Sequence, residues 1–105
     1  MAQPGIILVS CPSVDDAERL ARSLVEEKLI ACASFSKVQS IYRWEGQVCS
    51  DGEVQIVMKT DLDKFEVLEA RIKDLHAYEV PEILAIAVTK GSADYLQWIQ
   101  DSVAD

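Results

Sequence analysis

Five side chains in this sequence carry donor atoms that a soft or borderline metal ion accepts: Cys11, Glu53, His76, Glu79 and Glu82. Imidazole nitrogen and thiolate sulfur suit copper and zinc, and carboxylate oxygen widens the range of divalent ions. Three of the five fall in one stretch, His76-Ala77-Tyr78-Glu79-Val80-Pro81-Glu82. None has the tight ligand spacing of a zinc finger or a zincin, so a site would have to be assembled by the fold. Each residue also has a plainer reading. His76 can close a helix, where an imidazolium suits the terminal carbonyls. Cys11 beside Pro12 can be a small buried hydrophobe. Glu79 and Glu82 flank Pro81 and can be solvated loop charges or partners for Lys59 and Arg43.

Signs of catalysis are missing. The single histidine has no neighbour in a nucleophile–base motif. The four glycines form no phosphate-cradling loop. No carboxylate pair stands out as general acid and base. The sequence is read as non-enzymatic.

The elements that must bring the donors together follow from periodicity. Ile6 to Val9 is a short β-branched run after Pro4-Gly5 and reads as a buried strand, closed by Pro12. Ser13 with Asp16 has capping-box spacing, and Val14, Ala17, Leu20, Ala21, Leu24 and Val25 recur at helical spacing to near Lys28. Val38, Ser40, Tyr42 and Trp44 share one face of a second strand, Glu45-Gly46 is a turn, and Gly52 marks a second irregularity. Glu53 to Thr60 alternates again and completes a long hairpin. Thr60 with Asp63 repeats the capping spacing ahead of a helix carrying Leu62, Phe65, Leu68, Ile72 and Leu75. Ile83 to Thr89 reads as the last strand, and Gly91-Ser92 caps a terminal helix with Tyr95, Leu96, Trp98 and Ile99.

The order β-α-β-β-α-β predicts an α+β, ferredoxin-like antiparallel sheet with a short C-terminal helix, one domain over residues 1–105. Right-handed crossovers place both main helices on one face, with strands in the order 4-1-3-2. The entry to the fourth strand then lies near the exit of the first, and the third strand begins on that side. This topology gathers the five donors at one end of the sheet. Cys32, starting the second strand, falls at the opposite end from Cys11, and the two are too far apart to bridge. Cys49 lies in the hairpin, a candidate for oxidation.

Composition excludes some partners. The net charge is −8, and the ten basic residues are scattered without a run. Nucleic acid and anionic membrane both require clustered Lys and Arg, so neither is expected as a partner. Three cysteines without a C-x-x-C pair read as reduced thiols, and Met1 to Gly5 lacks the basic region of a secretory signal. A soluble, cytoplasmic protein is the expectation. Tyr42, Trp44, Tyr78, Tyr95 and Trp98 are many large rings for a chain of 105 residues. They either cover the sheet within one chain or pack against a neighbouring subunit; the overhanging hairpin favours the neighbour.

Longer stretches resemble a known family. Ile41-Tyr42-Arg43-Trp44-Glu45-Gly46 is similar to the hairpin motif of the CutA divalent-cation tolerance family, and Ala31-Cys32-Ala33 to the segment before it. Glu53-Val54-Gln55 and Lys59-Thr60 are similar to its return strand. His76-x-Tyr78-x-x-Pro81-Glu82 resembles its signature, with Ala77 in place of a proline and Leu75 where some relatives carry a second histidine. Tyr95-Leu96-x-Trp98-Ile99 resembles its terminal helix. The resemblance implies a homotrimer joined edge to edge by strand pairing, and a role in divalent-metal tolerance with copper (Cu2+) or another divalent ion bound weakly. A different implication is a trimeric module built like the nitrogen-regulatory PII proteins. Lys59, Tyr78 and Glu82 would then contact a small ligand between subunits.

Overall fold

The computed structural model describes residues 2–105. Met1, where the leaderless reading of the first five residues begins, lies outside them. Strand β1 (Pro4–Cys11) leads into helix α1 (Val14–Glu26), and β2 (Cys32–Trp44) and β3 (Gln47–Asp61) form the hairpin. A 3-10 turn (Leu62–Lys64) runs into α2 (Phe65–Leu75), followed by β4 (Leu84–Ala87) and α3 (Ala93–Val103). The four strands are ordered β2-β3-β1-β4, all neighbours antiparallel, which is the order expected from the crossover rule.

Helix α1 forms where the sequence asks for it. The Ser13 side chain accepts the Asp16 amide at 3.1 Å, and Ala17, Leu20, Ala21 and Leu24 make one buried stripe. The helix stops as Lys28 enters the left-handed region (φ 61°), and the amides of Leu29 and Ile30 turn back onto the Leu24 carbonyl. On the sheet, alternation sends Ile7, Val9 and Cys11 of β1 and Val54, Ile56 and Met58 of β3 under the helices. Leu68 and Ile72 of α2 close that core. Gly5 leaves room for Leu62, because a Cβ there would stand 2.3 Å from Leu62 Cδ2 and would have to displace that side chain.

Three boundaries differ from the periodicity reading. Strand β3 begins at Gln47, so Gly52 is an ordinary ladder position opposite Gln39 rather than an irregularity. The turn is only Glu45-Gly46, both at positive φ (50° and 78°), which matches the twist of a two-residue hairpin and lets pairing resume at once. Thr60 is not a cap: it is buried in β3 and its hydroxyl donates to the Leu29 carbonyl at 2.7 Å. Asp61 caps the following turn, its carboxylate accepting the Asp63 amide at 2.9 Å. Strand β4 is shorter than Ile83 to Thr89, since its ladder spans only Leu84–Ala87 opposite Gly5 to Leu8 of β1.

Two surfaces are left open. The sheet face away from α1 and α2 carries Ile6 and Leu8, with Leu84 and Ile86 on β4 still 56% and 48% exposed. The β1–β3 ladder ends at Cys11 opposite Val54, whereas the β2–β3 ladder continues to Trp44 opposite Gln47. Beyond that point the hairpin is a ribbon two strands wide, and it stretches the molecule to 44 × 25 × 22 Å.

Candidate functional site

The end of α2, the exit of β1 and the middle of β3 converge on His76. Its Nε2 lies 2.7 Å from the Ser10 carbonyl oxygen, and its Nδ1 accepts the Tyr78 amide at 2.9 Å. A carbonyl only accepts and an amide only donates, so this pairing puts the ring proton on Nε2. His76 therefore does more than cap α2: it ties the segment after the helix to the end of β1.

Cys11 joins the same group. Its Sγ is 3.7 Å from His76 Nε2, and only 2% of the residue is exposed. Burial, with the nearby charges of Asp16 and Glu53, pushes the thiol up to about 11. Cys11 is thus held as a thiol, the form that neither attacks nor ligates readily. A cavity of about 150 Å³ opens beside the pair, between Asp16, Arg19, Leu20 and Ser23 of α1 and Leu75 to Ala77.

The carboxylates are reached at one remove. The Tyr78 hydroxyl donates to Glu53 Oε2 at 2.6 Å, and the ring lies 5.0 Å from that of His76. Burial and this hydrogen bond raise the phenol well above its ordinary range. Glu82 meets Gln55 Nε2 at 3.4 Å, and the same amide donates to the Val9 carbonyl at 3.0 Å. Glu79 is exposed on the loop. The structure brings Cys11 and His76 into contact, links Glu53 to His76 through Tyr78, sets Glu82 on Gln55 and leaves Glu79 exposed on the loop. Among the described residues no three His, Cys, Asp or Glu side chains are close enough to hold one ion. The alternative pairing of Glu79 and Glu82 with Lys59 and Arg43 does not form; Glu82 takes Gln55 instead.

The aromatic residues divide between two places. Tyr42 and Trp44 are 40% and 45% exposed on the overhanging hairpin. The Tyr42 hydroxyl donates to Asp51, a bond that raises the phenol to about 12. At the other end of the sheet, Tyr95 and Trp98 pack with ring centroids 5.4 Å apart, Lys59 Nζ lies 5.7 Å over Tyr95, and Cys32 Sγ is 3.7 Å from the Tyr95 hydroxyl. Cys11, Cys32 and Cys49 are all free. Sequence reasoning missed Gln55 and Asp51, which hold Glu82 and Tyr42. Their signal was present in the alternation of β3, which puts Asp51, Glu53 and Gln55 on one face.

No helix among the described residues is long and apolar enough to cross a membrane. Comparison with known proteins then gives a family. Residues 5–102 match the family described as CutA1 divalent ion tolerance protein. The chain is 40% identical over 98 residues to the divalent-cation tolerance protein CutA of Thermus thermophilus, covering 92% of this chain and 95% of that protein. It is 40% identical over 94 residues to that of Pyrococcus horikoshii, covering 90% and 92%. Among solved structures, the periplasmic divalent cation tolerance protein CutA of Archaeoglobus fulgidus superposes with a TM-score of 0.94 at 34% identity, covering 96% of this chain and 99% of that one. The similarity spans every element from β1 to α3, so the chain belongs to the CutA1 divalent ion tolerance family.

Proposed function

We propose that this chain serves divalent-cation tolerance as a non-enzymatic cytoplasmic homotrimer, with copper or another divalent ion as its cargo. One observation carries the metal assignment. The 3.7 Å between Cys11 Sγ and His76 Nε2 is close to the roughly 3.5 Å edge that a tetrahedral ion would span at ordinary Zn–S and Zn–N lengths. Glu53, Glu79 and Glu82 supply negative charge on this side of the molecule, and one of them would have to move to give a third, oxygen ligand. Binding releases the Cys11 thiol proton to solvent and shifts the His76 ring proton from Nε2 to Nδ1, which breaks both the Ser10 contact and the Tyr78 amide bond, so the affinity is low. Names of relatives carry the rest: both the Thermus and the Pyrococcus proteins are called divalent-cation tolerance proteins. The trimer is supported by the exposed sheet face and by a hairpin whose outer edges have no strand partner among the described residues beyond Cys11 and Val54.

The test is calorimetric titration of Cu2+ and Zn2+ into the native protein and into His76→Ala and Cys11→Ser, with native mass spectrometry for the assembly. Unchanged affinity and stoichiometry in both variants would remove the Cys11–His76 site.

A groove of about 650 Å³ favours a second reading. It lies between the base of the hairpin and the start of α1, lined by Ser13, Asp15, Lys37, Gly52 and Glu53. This reading is a PII-like trimeric module taking a small ligand between subunits; Lys59, Tyr78 and Glu82, the contacts expected from sequence, lie outside the lining of this groove and would have to be met from a neighbouring subunit. A thermal-shift screen of nucleotides and small acids separates the two, because a hit that persists in chelator supports the module.

A further inference from the structure

Three basic residues are withdrawn from solvent, and they are not treated alike. Arg71 chelates Glu27 with two hydrogen bonds of 2.8 and 2.9 Å, and Lys64 meets Asp105 at 3.1 Å. Lys59 is equally half-buried, yet no carboxylate pairs with it among the described residues; its neighbour is the Tyr95 ring. The chain has 18 acidic residues against 10 basic ones, so counter-charges are abundant. A half-buried ammonium beside apolar groups gains from a carboxylate brought by a second chain, because contact with that chain would take it further from water.

The alternation of β3 indicates what the partner is. Asp51, Glu53, Gln55, Val57 and Lys59 all face the same side of the sheet. One face of one strand is thus acidic toward the hairpin and basic toward α3, with Glu53 and Lys59 roughly 20 Å apart by strand rise. That separation forbids pairing within the chain. A second copy packed head to tail puts the acidic end of one row against the basic end of the next, and such a heterologous contact closes into a ring when the rotation permits. Exposed apolar groups flank both ends: Trp44 and Ile41 on the hairpin, Tyr95, Trp98 and Ile86 near Lys59. They supply the water-excluding surround in which a charge pair fixes register.

We infer that Lys59 of one subunit pairs with the Asp51 and Glu53 carboxylates of the next, locking the register of the assembly. The inference rests on the trimer reading above. Each carboxylate accepts one hydrogen bond from a tyrosine hydroxyl, Asp51 from Tyr42 and Glu53 from Tyr78, and keeps further acceptor capacity for the incoming ammonium. The tyrosines hold the two acids in place for it.

Zero-length carbodiimide coupling joins a lysine amine to a carboxylate only where the two touch. Applied to a mixture of unlabelled and 15N-labelled full-length protein, it is expected to give mixed-isotope peptides linking Lys59 to Asp51 or Glu53. Lys59→Arg keeps the charge but removes the coupling amine, so those peptides vanish while native mass spectrometry still shows the same assembly. An intact multimer in which Lys59 links nowhere, or to other carboxylates, overturns the pair and leaves the trimer standing. A chain that is monomeric by native mass spectrometry overturns the trimer first, and the pair with it.

Discussion

Tyr78 and Glu53 meet across 2.6 Å, and this bond is the outer link of a chain that starts at the end of β1. The Ser10 carbonyl holds the His76 ring, the ring accepts the Tyr78 amide, and the Tyr78 hydroxyl reaches β3. The loop between α2 and β4 is therefore fastened to two strands by His76 and Tyr78, two residues apart. Ala77, where the family resemblance places a proline, is bracketed by these fastenings, so the loop keeps its course without the ring constraint.

Removing the outer link tests its weight. Tyr78→Phe keeps the ring contact with His76 and the backbone bond, and loses only the charge-assisted hydrogen bond. A loss of about 1–2 kcal/mol is expected in urea unfolding, with Glu53→Gln losing less because an amide oxygen still accepts. An unchanged midpoint in Tyr78→Phe would mean that solvent replaces the bond without cost.

Alkaline pH should weaken the fold through Cys11. The folded state holds the thiol proton more tightly than the unfolded chain, since burial moves the group from its ordinary 9.0 to about 11. The stabilisation is complete below the lower value and is lost as pH rises through the upper one. Two pKa steps correspond to about 2–3 kcal/mol. Urea midpoints measured across that window should fall in the native protein and fall less steeply in Cys11→Ala. Parallel slopes would show that the thiol is not the group responsible. Tyr78, raised in the same direction, adds to the fall and remains in the variant.

Metal capture at the Cys11–His76 pair should release protons. Cu2+ titrated in two buffers of different ionisation enthalpy should give apparent enthalpies that differ by that ionisation difference times the protons released per ion, and affinity should rise with pH. Buffer-independent enthalpies would place the ion on carboxylates that are already charged.

Gly5 is a packing requirement and can be tested as one. Gly5→Ala drives a Cβ into Leu62, and a loss of about 1–3 kcal/mol is expected from overpacking. Adding Leu62→Ala should recover part of that loss, visible as a coupling term in a double-mutant cycle. Strictly additive losses would show that the strain is in the backbone rather than between the two side chains.

The sheet and its helices were legible because period-2 and period-3.6 patterns are local. Val54, Ile56 and Met58 declare a buried face by themselves, and Ser13 with Asp16 declares a helix start. Thr60 was misread because a hydroxyl three residues before Asp63 looks like a cap, while only the fold reveals the Leu29 carbonyl waiting for it. Strand order alone put Cys11 and His76 at one end of the sheet, while their approach to 3.7 Å is a property of the folded chain. The links of Glu53 to Tyr78 and Glu82 to Gln55 did not, since they depend on where a loop lays its side chains after the last periodic residue. Lys59 shows the remaining limit: its lack of a counter-charge is a property of three dimensions, invisible in a chain so rich in acids.

The overhanging hairpin has a consequence for how the protein responds to concentration. A two-stranded ribbon has little stability of its own in water, so beyond Cys11 and Val54 its order is lent by whatever lies against it. If neighbours provide that cover, dilution acts on this protein as a denaturant. Protease cutting near Glu45-Gly46 then reports the population of separated subunits, rising as the protein is diluted and falling as it is concentrated.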